Sequence, residues 1–184
     1  HCRQAMLANP TEVATTTVQI IKDRLADQLV EGIRYEKVHA WYEMALFDAD
    51  FEAWSDYVVP SRRPDGQEGA SLYDQVPVDS EIERQFVEGL ERREDVRLYI
   101  KLPSWFTVPT PIGEYNPDWA IVMQDPEAPV DEKPLLYLVR ETKGALRRDA
   151  LRPNEQRKIV CGQRHFREAL GVDYRVIVSA NDLP

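Results

Sequence analysis

The chain has 184 residues, 43% of them hydrophobic, which is enough to bury the core of one domain. It carries 23 Lys and Arg against 32 Asp and Glu, and this net charge of −9 argues against a free-standing, nonspecific DNA-binding protein. No apolar run reaches the roughly 20 residues that span a bilayer, and no signal peptide is recognisable, so we expect a cytoplasmic protein without membrane contacts. Because the chain begins at His1 and not at Met, we expect a fragment of a longer protein.

Residues 1–70 are predicted to be an N-terminal extension, and residues 71–184 the main domain. A helix is predicted over residues 11–33, with charged side chains such as Asp23 and Asp27 facing solvent. Its predicted inner face consists of Val13, Thr17, Ile21, Leu25 and Leu29. The aromatic stretch 35–51 fits either strands or a packed loop. A loop rich in Pro, Gly and charge, residues 60–70, marks the predicted boundary.

A second helix is predicted to begin after Ser80 and to run to about Arg93. Ser80 and Glu83 fit a capping box, in which an acid three residues into the helix binds a free backbone amide. Glu83 also lies on an apolar stripe with Val87 and Leu90, at helical spacing. A capping role and a role in a functional site therefore both remain open for Glu83.

Three strands are predicted next. The first covers residues 96–101, with Val96, Leu98 and Ile100 on one face, and residues 105–108 are a candidate continuation. The second follows the turn-rich segment that ends at Asn116, and a polar connection over residues 125–133 leads to the third, residues 135–143. Because residues 135–139 are apolar on both faces, they predict a central strand that is covered on both sides.

The chain is predicted to end with a helix and a strand. The helix begins at Pro153, ends at Leu170 and is capped by Gly171. Gly162 inside it predicts a close contact, since Gly costs about 1 kcal/mol relative to Ala in a helix. A buried strand over residues 174–178 follows.

Acidic side chains occur in the second and third predicted strands, where a core strand should carry none. Since strand side chains alternate between two faces, Asp118 shares a face with Ala120, and Glu141 shares one with Lys143. Buried carboxylates need a compensating cation, so two of them beside a lysine predict a metal ion. The oxygen donors favour Mg²⁺. The alternative, a surface ion pair of Glu141 with Lys143 on an edge strand, conflicts with the apolar run before it.

Basic residues are concentrated after the third strand. Those between Arg140 and Arg167 are Arg140, Lys143, Arg147, Arg148, Arg152, Arg157, Lys158, Arg164 and Arg167. We call this set the basic stripe. Only Glu141, Asp149 and Glu155 oppose it within that span. The stripe fits either a contact surface for a phosphate backbone or a solvated helix face.

Pro117-Asp118, a spacer and then Glu141-x-Lys143 form the signature of PD-(D/E)xK nucleases, and this sequence resembles that superfamily. A closer resemblance, from about Ser71 to the end, is to the C-terminal endonuclease domain of the Res subunit of type III restriction enzymes. It rests on Asn-Pro-Asp-Trp-Ala at 116–120, Val-Arg-Glu-Thr-Lys-Gly at 139–144, Leu-Arg-Pro-Asn-Glu at 151–155, Lys-Ile at 158–159, Cys-Gly-x-Arg-His-Phe at 161–166 and the helix 80–86. The expected fold is α/β, a restriction-endonuclease-like αβββαβ core with a mixed central sheet flanked by helices, plus the N-terminal helical extension.

The resemblance implies an Mg²⁺-dependent endonuclease that hydrolyses double-stranded DNA. Asp118, Glu141 and the backbone carbonyl of Thr142 would hold the metal, with Glu83 as a possible further ligand. Lys143 would orient the attacking water or stabilise the charge on the phosphate. The expected DNA contacts are Arg147, Arg148, Arg152, Gln156 and Lys158.

The implied partners are a helicase motor upstream in the full-length chain and a methyltransferase subunit. No G-x-x-x-x-G-K-[ST] motif occurs in this chain, so ATP chemistry would lie outside it. Two alternatives remain: another PD-(D/E)xK nuclease of repair or recombination, and a non-catalytic nuclease-like module that binds DNA or protein. The presence of Asp118, Glu141 and Lys143 together favours an enzyme.

Overall fold

The computed structural model describes residues 8–36, 58–129, 134–143 and 152–184. In chain order its helices and strands are α1 Pro10–Gly32, β1 Val58–Pro60, β2 Gln75–Pro77, α2 Glu81–Glu91, β3 Val96–Lys101, β4 Trp119–Gln124, β5 Leu135–Thr142, α3 Pro153–Gln163 and β6 Asp173–Ile177. A π-helical turn, Arg164–Ala169, extends α3, and a 3-10 turn, Ala180–Asp182, follows β6. Within those ranges, none of the helices combines the length and apolar character that crossing a membrane requires.

The core is a four-stranded sheet in the order β3-β4-β5-β6. Strands β3, β4 and β5 pair antiparallel, and β6 pairs parallel to β5 through the crossover helix α3. Together with α2 before β3, this gives the αβββαβ order. The predicted mixed α/β architecture is therefore confirmed.

Each face of the sheet has its own apolar core. On one face α2 packs against alternate residues of β4; this core includes Phe86, Val87, Leu90, Trp119, Ile121, Met123 and Leu138. On the other face the π-helical turn after α3 packs on the sheet; this core includes Val108, Tyr115, Val139, Phe166 and Tyr174. Glu141 shares the second face with Val139, because the two are separated by two positions along β5.

Strand β5 is central, as predicted, but it is covered over only part of its length. Leu135 and Tyr137 are 47% and 61% exposed, whereas the last five residues of the strand are buried. The cause is register: β6 begins to pair with β5 at Leu138, so the first residues of β5 extend beyond β6. The prediction that residues 135–139 are covered on both sides is wrong for this first part.

Strand β3 has the predicted bounds, but its faces are not those of simple alternation. Val96 and Tyr99 are fully buried while Leu98 is 38% exposed, because the pairing register shifts between Val96 and Leu98. The candidate continuation over residues 105–108 does not join this sheet. Val108 instead forms an isolated bridge with Tyr115.

Helix α1 packs on α3 with its polar side, opposite to the prediction. Ile21 and Leu25 are 60% and 54% exposed. Asp23 and Asp27 face the domain and accept hydrogen bonds from Arg157 at 3.1 Å and 2.8 Å. Because a buried guanidinium needs charged partners, these two carboxylates compensate Arg157.

The predicted boundary loop is tied to the main domain at both ends. Ser61 Oγ donates to Oε1 of the buried Glu91 at 2.6 Å, and the Ala70 amide donates to Glu91 Oε2 at 3.0 Å. The division at residue 70 stays a prediction. Residues 37–57, which hold most of the aromatic stretch, and residues 130–133 of the polar connection lie outside the described ranges.

Candidate active site

Asp118 immediately precedes β4 and is attached to the end of β5. Its Oδ2 accepts hydrogen bonds from the Thr142 amide at 2.7 Å and from the Thr142 hydroxyl at 2.9 Å. Strands β4 and β5 are in register with Trp119 opposite Arg140, so continuing that register by one step places Asp118 opposite Glu141. The two predicted carboxylates therefore meet at one end of adjacent strands.

Glu141 is 4% exposed and has a hydrogen-bond donor at each carboxylate oxygen. The Tyr115 hydroxyl donates to Oε2 at 2.7 Å, and the Lys143 ammonium lies 2.9 Å from Oε1. Burial and the nearby charge of Asp118 raise the pKa of Glu141 to about 7, although Lys143 and Tyr115 act in the opposite direction. An added divalent cation would relieve both the burial penalty and the repulsion.

Lys143 follows β5 and lies beside Glu141 with a 25% exposed side chain. Its ammonium is also 3.7 Å from Glu155 Oε1, in the first turn of α3. Burial works against the charged form, but the carboxylates of Glu141, Asp118 and Glu155 outweigh it and raise the pKa of Lys143. Lys143 is thus a charged donor next to the carboxylate pair, with part of its side chain open to solvent.

Two tyrosines that sequence reasoning did not select also belong to this site. The hydroxyl of Tyr115 lies 2.6 Å from that of Tyr174 on β6, and both rings are buried. Gly162 of α3 lies against the Tyr115 ring: a Cβ at this position would be 2.4 Å from Tyr115 Cε1. The predicted close contact at Gly162 is confirmed, and it was the one signal in the sequence that pointed to this packing.

Glu83 lies on α2, on the opposite face of the sheet from Glu141, and its contacts are structural. Its amide donates to Ser80 Oγ at 3.2 Å, as predicted for a cap, but its own carboxylate binds the Asp79 amide at 2.8 Å and not that of Ser80. Its Oε1 also forms an ion pair of 2.6 Å with Lys101. A metal-binding role for Glu83 stays a prediction.

A chain of contacts links Glu83 to Asp118. The Lys101 ammonium lies 5.0 Å from the ring centroid of Trp119. The Trp119 indole donates to Thr142 Oγ1 at 3.3 Å, and the same hydroxyl donates to Asp118 Oδ2. Lys101, which sequence reasoning did not select, therefore connects the α2 face of the sheet to the carboxylate pair.

The basic stripe is not a continuous exposed surface. Arg140 is fully buried and forms an ion pair of 2.9 Å with Asp173, Arg157 binds α1, and Arg164 donates to backbone carbonyls at the C-terminal end of α1. Of the predicted DNA contacts, Arg152 is exposed, Gln156 is half-buried, and Lys158 donates to the Glu114 carbonyl at 2.6 Å. Arg147 and Arg148 lie outside the described residues.

The donors of the site suit a small, hard divalent ion. In the part of the chain that the structure describes, no group of three or more His, Cys, Asp or Glu side chains could hold a metal, so Asp118 and Glu141 form a pair and not a full cage. Mg²⁺ keeps several waters and is commonly held by one or two carboxylates, so the pair of Asp118 and Glu141 suits that ion, and the Thr142 carbonyl as a third ligand stays a prediction.

A family model described as an endonuclease domain matches residues 69–181. No curated protein and no solved structure was found to match the chain. The matched segment covers more than half of the sequence and contains Asp118, Glu141 and Lys143, together with both tyrosines. The order of the strands and helices within it agrees with a restriction-endonuclease-like fold. This chain belongs to the endonuclease-domain family, and that membership points to nuclease activity.

Proposed function

We propose that this chain is the Mg²⁺-dependent nuclease domain of a type III restriction enzyme and hydrolyses phosphodiester bonds of double-stranded DNA. One observation carries the proposal. Asp118, just before β4, lies opposite Glu141 of β5 when the strand register is continued by one step. The Lys143 ammonium lies 2.9 Å from Glu141 Oε1. This arrangement combines donors for a hard cation with a positive group for the negative charge that develops on a phosphate during hydrolysis.

Each residue has a distinct part in the proposed reaction. Asp118, Glu141 and the Thr142 carbonyl would hold Mg²⁺, which would polarise the phosphate and lower the pKa of the attacking water. Glu141 must be deprotonated to serve as a ligand. Lys143 directs its ammonium towards the phosphate and stabilises the charge that builds there.

We propose that DNA approaches over the N-terminal end of α3. Arg152 is exposed at this end of the helix, and Gln156 and Lys158 follow it along the helix. Glu155, in the first turn of α3, links this end to the site, since its Oε1 is 3.7 Å from the Lys143 ammonium. In this arrangement Arg152, Gln156 and Lys158 contact the DNA backbone beside the cleaved bond. Arg147 and Arg148 are further proposed contacts. The acidic total charge suits a domain that is brought to DNA by the rest of a larger cytoplasmic enzyme.

The metal-dependent reaction is tested by nicking of supercoiled plasmid with Mg²⁺ and with EDTA. Wild-type protein should nick only with Mg²⁺, and Glu141→Gln should be inactive. Glu68→Gln, an identical change at an exposed site, should behave as wild type. Robust cleavage in EDTA, or by Glu141→Gln, would overturn the metal assignment.

The type III context needs a separate test, since the motifs at residues 139–144 and 151–155 support it by resemblance alone. A tagged form of the full-length protein should co-purify with a DNA methyltransferase subunit. A nuclease that cleaves DNA but associates with no methyltransferase would instead be a repair or recombination enzyme.

A further inference from the structure

The Glu141 carboxylate oxygen that does not contact Lys143 is bound by the Tyr115 hydroxyl, which in turn contacts the Tyr174 hydroxyl. Tyr115 has a single hydroxyl hydrogen, and in the ionised state of Glu141 it must donate that hydrogen to Oε2, which lies 2.7 Å away. The Tyr174 hydroxyl, 2.6 Å from that of Tyr115, must then be the donor between the two tyrosines. The hydrogen bonds therefore run in one direction, from Tyr174 to Tyr115 to Glu141.

Packing fixes both phenol rings. Tyr174 is 1% exposed and stacks on Phe166, with ring centroids 5.7 Å apart and planes 9° from parallel. Tyr115 is 5% exposed and meets the Tyr174 ring edge-on, and its other side lies on Gly162, where no side chain larger than hydrogen fits. The two oxygens are thus set by β6 and α3, and not by the flexible side chain of Glu141.

We propose that Tyr115 and Tyr174 are positioning residues of the nuclease site. Tyr174 orients the Tyr115 hydroxyl, and Tyr115 holds Glu141 in the rotamer that presents its carboxylate to a divalent cation beside Asp118. The inference rests on the proposed metal-dependent function. Without Tyr115, the strongest remaining contact of Glu141 is Lys143, which is partly exposed and competes with the cation for the same carboxylate.

The test is Mn²⁺ binding by calorimetry at pH 8, with Tyr115→Phe, Tyr174→Phe and the double variant. Partners that orient a metal-binding carboxylate typically change metal affinity about 10- to 100-fold, so we expect a loss of that size for Tyr115→Phe. Tyr174→Phe should weaken binding less. The double variant should be no weaker than Tyr115→Phe alone, because Tyr174 acts only through Tyr115.

Tyr99→Phe is the matched control. Tyr99 is a fully buried tyrosine on the opposite face of the sheet, and its hydroxyl donates to Glu91 Oε1 at 2.6 Å. Like Tyr115→Phe, the Tyr99→Phe variant loses a hydrogen bond from a tyrosine hydroxyl to a buried carboxylate. It should therefore lower stability without changing Mn²⁺ affinity. In single-turnover cleavage, saturating Mg²⁺ should restore Tyr115→Phe to near the wild-type rate, a recovery that damaged folding would not allow.

Wild-type Mn²⁺ affinity in Tyr115→Phe would overturn the inference, and additive losses in the double variant would overturn the serial order. Should Tyr115→Phe fail to fold, Tyr174→Phe carries the test, and an unchanged affinity in the folded protein would count against the proposal. If wild-type protein binds no Mn²⁺, the proposed function itself fails, and the inference fails with it.

Discussion

The Thr142 amide donates a hydrogen bond to Asp118 Oδ2 at 2.7 Å, so the residue that follows Glu141 in the chain holds the other carboxylate of the site. The spacing between Asp118 and Glu141 is therefore set by strand backbone, not by side-chain rotamers alone. The hydrogen bond from Thr142 also gives Asp118 a structural role besides its proposed role as a metal ligand.

Replacing Asp118 should separate these two roles. Asp118→Asn keeps an oxygen that can accept from the Thr142 amide, so it should abolish metal-dependent cleavage with little loss of stability. Asp118→Ala leaves that amide, which belongs to a buried residue, without its acceptor, at a cost of about 1–3 kcal/mol. Urea denaturation in EDTA measures the difference, and an alanine variant as stable as the asparagine variant would contradict it.

Glu141 should make the metal-free protein less stable as the pH rises. Its pKa is about 7 in the folded state against an ordinary value of 4.5, so its protonated form is favoured by folding. The stabilisation is fully present below pH 4.5 and is lost as pH rises through 7. Glu141→Gln should remove this dependence and exceed the wild type at pH 8 by up to about 3 kcal/mol, since one pKa unit is about 1.4 kcal/mol.

The measurement for Glu141 is the free energy of unfolding at pH 5 and pH 8 in EDTA. Glu68→Gln, which alters an exposed carboxylate, should follow the wild type at both values. A difference between Glu141→Gln and wild type that stays constant with pH would show that Glu141 titrates normally.

Lys143→Ala should slow the chemical step more than it weakens metal binding. Removing one preorganised donor to transition-state charge typically costs a hundred- to a thousandfold in rate, about 2.7–4 kcal/mol. Lys143→Arg should recover little, because a planar guanidinium is larger and presents its donors differently. The measurement is single-turnover cleavage at saturating Mg²⁺ with a parallel metal titration. Weak metal binding with a normal rate at saturation would place Lys143 outside the chemistry.

Glu83→Gln should slow cleavage about tenfold, equivalent to about 1.4 kcal/mol. The amide oxygen can still accept from the Asp79 amide, so the cap of α2 survives. The ion pair with Lys101 is lost, however, and Lys101 lies over Trp119, which donates to Thr142. The measurement is the cleavage rate of the folded variant at saturating Mg²⁺. A wild-type rate would show that Glu83 has a structural role only.

The sequence by itself determined the fold class and the pair of strands that carry the site. Periodicity is a local property, and it placed the helices and strands of the αβββαβ core within a few residues of their observed bounds. The acids at 118 and 141 were conspicuous because they interrupt apolar strands. Their place on two consecutive strands followed from the predicted elements, although the register of those strands did not.

Only the tertiary structure decided which buried polar groups are partners. Tyr115 and Tyr174 are 59 positions apart, and neither interrupts a local pattern. For α1 the local pattern was misleading, since the helix contacts the domain through Asp23 and Asp27, which bind Arg157, while Ile21 and Leu25 of its apolar stripe are exposed. The hydrophobic effect is non-directional and leaves a periodic trace in the sequence, whereas a buried charge or hydroxyl is satisfied by specific atoms that the fold brings together from distant positions.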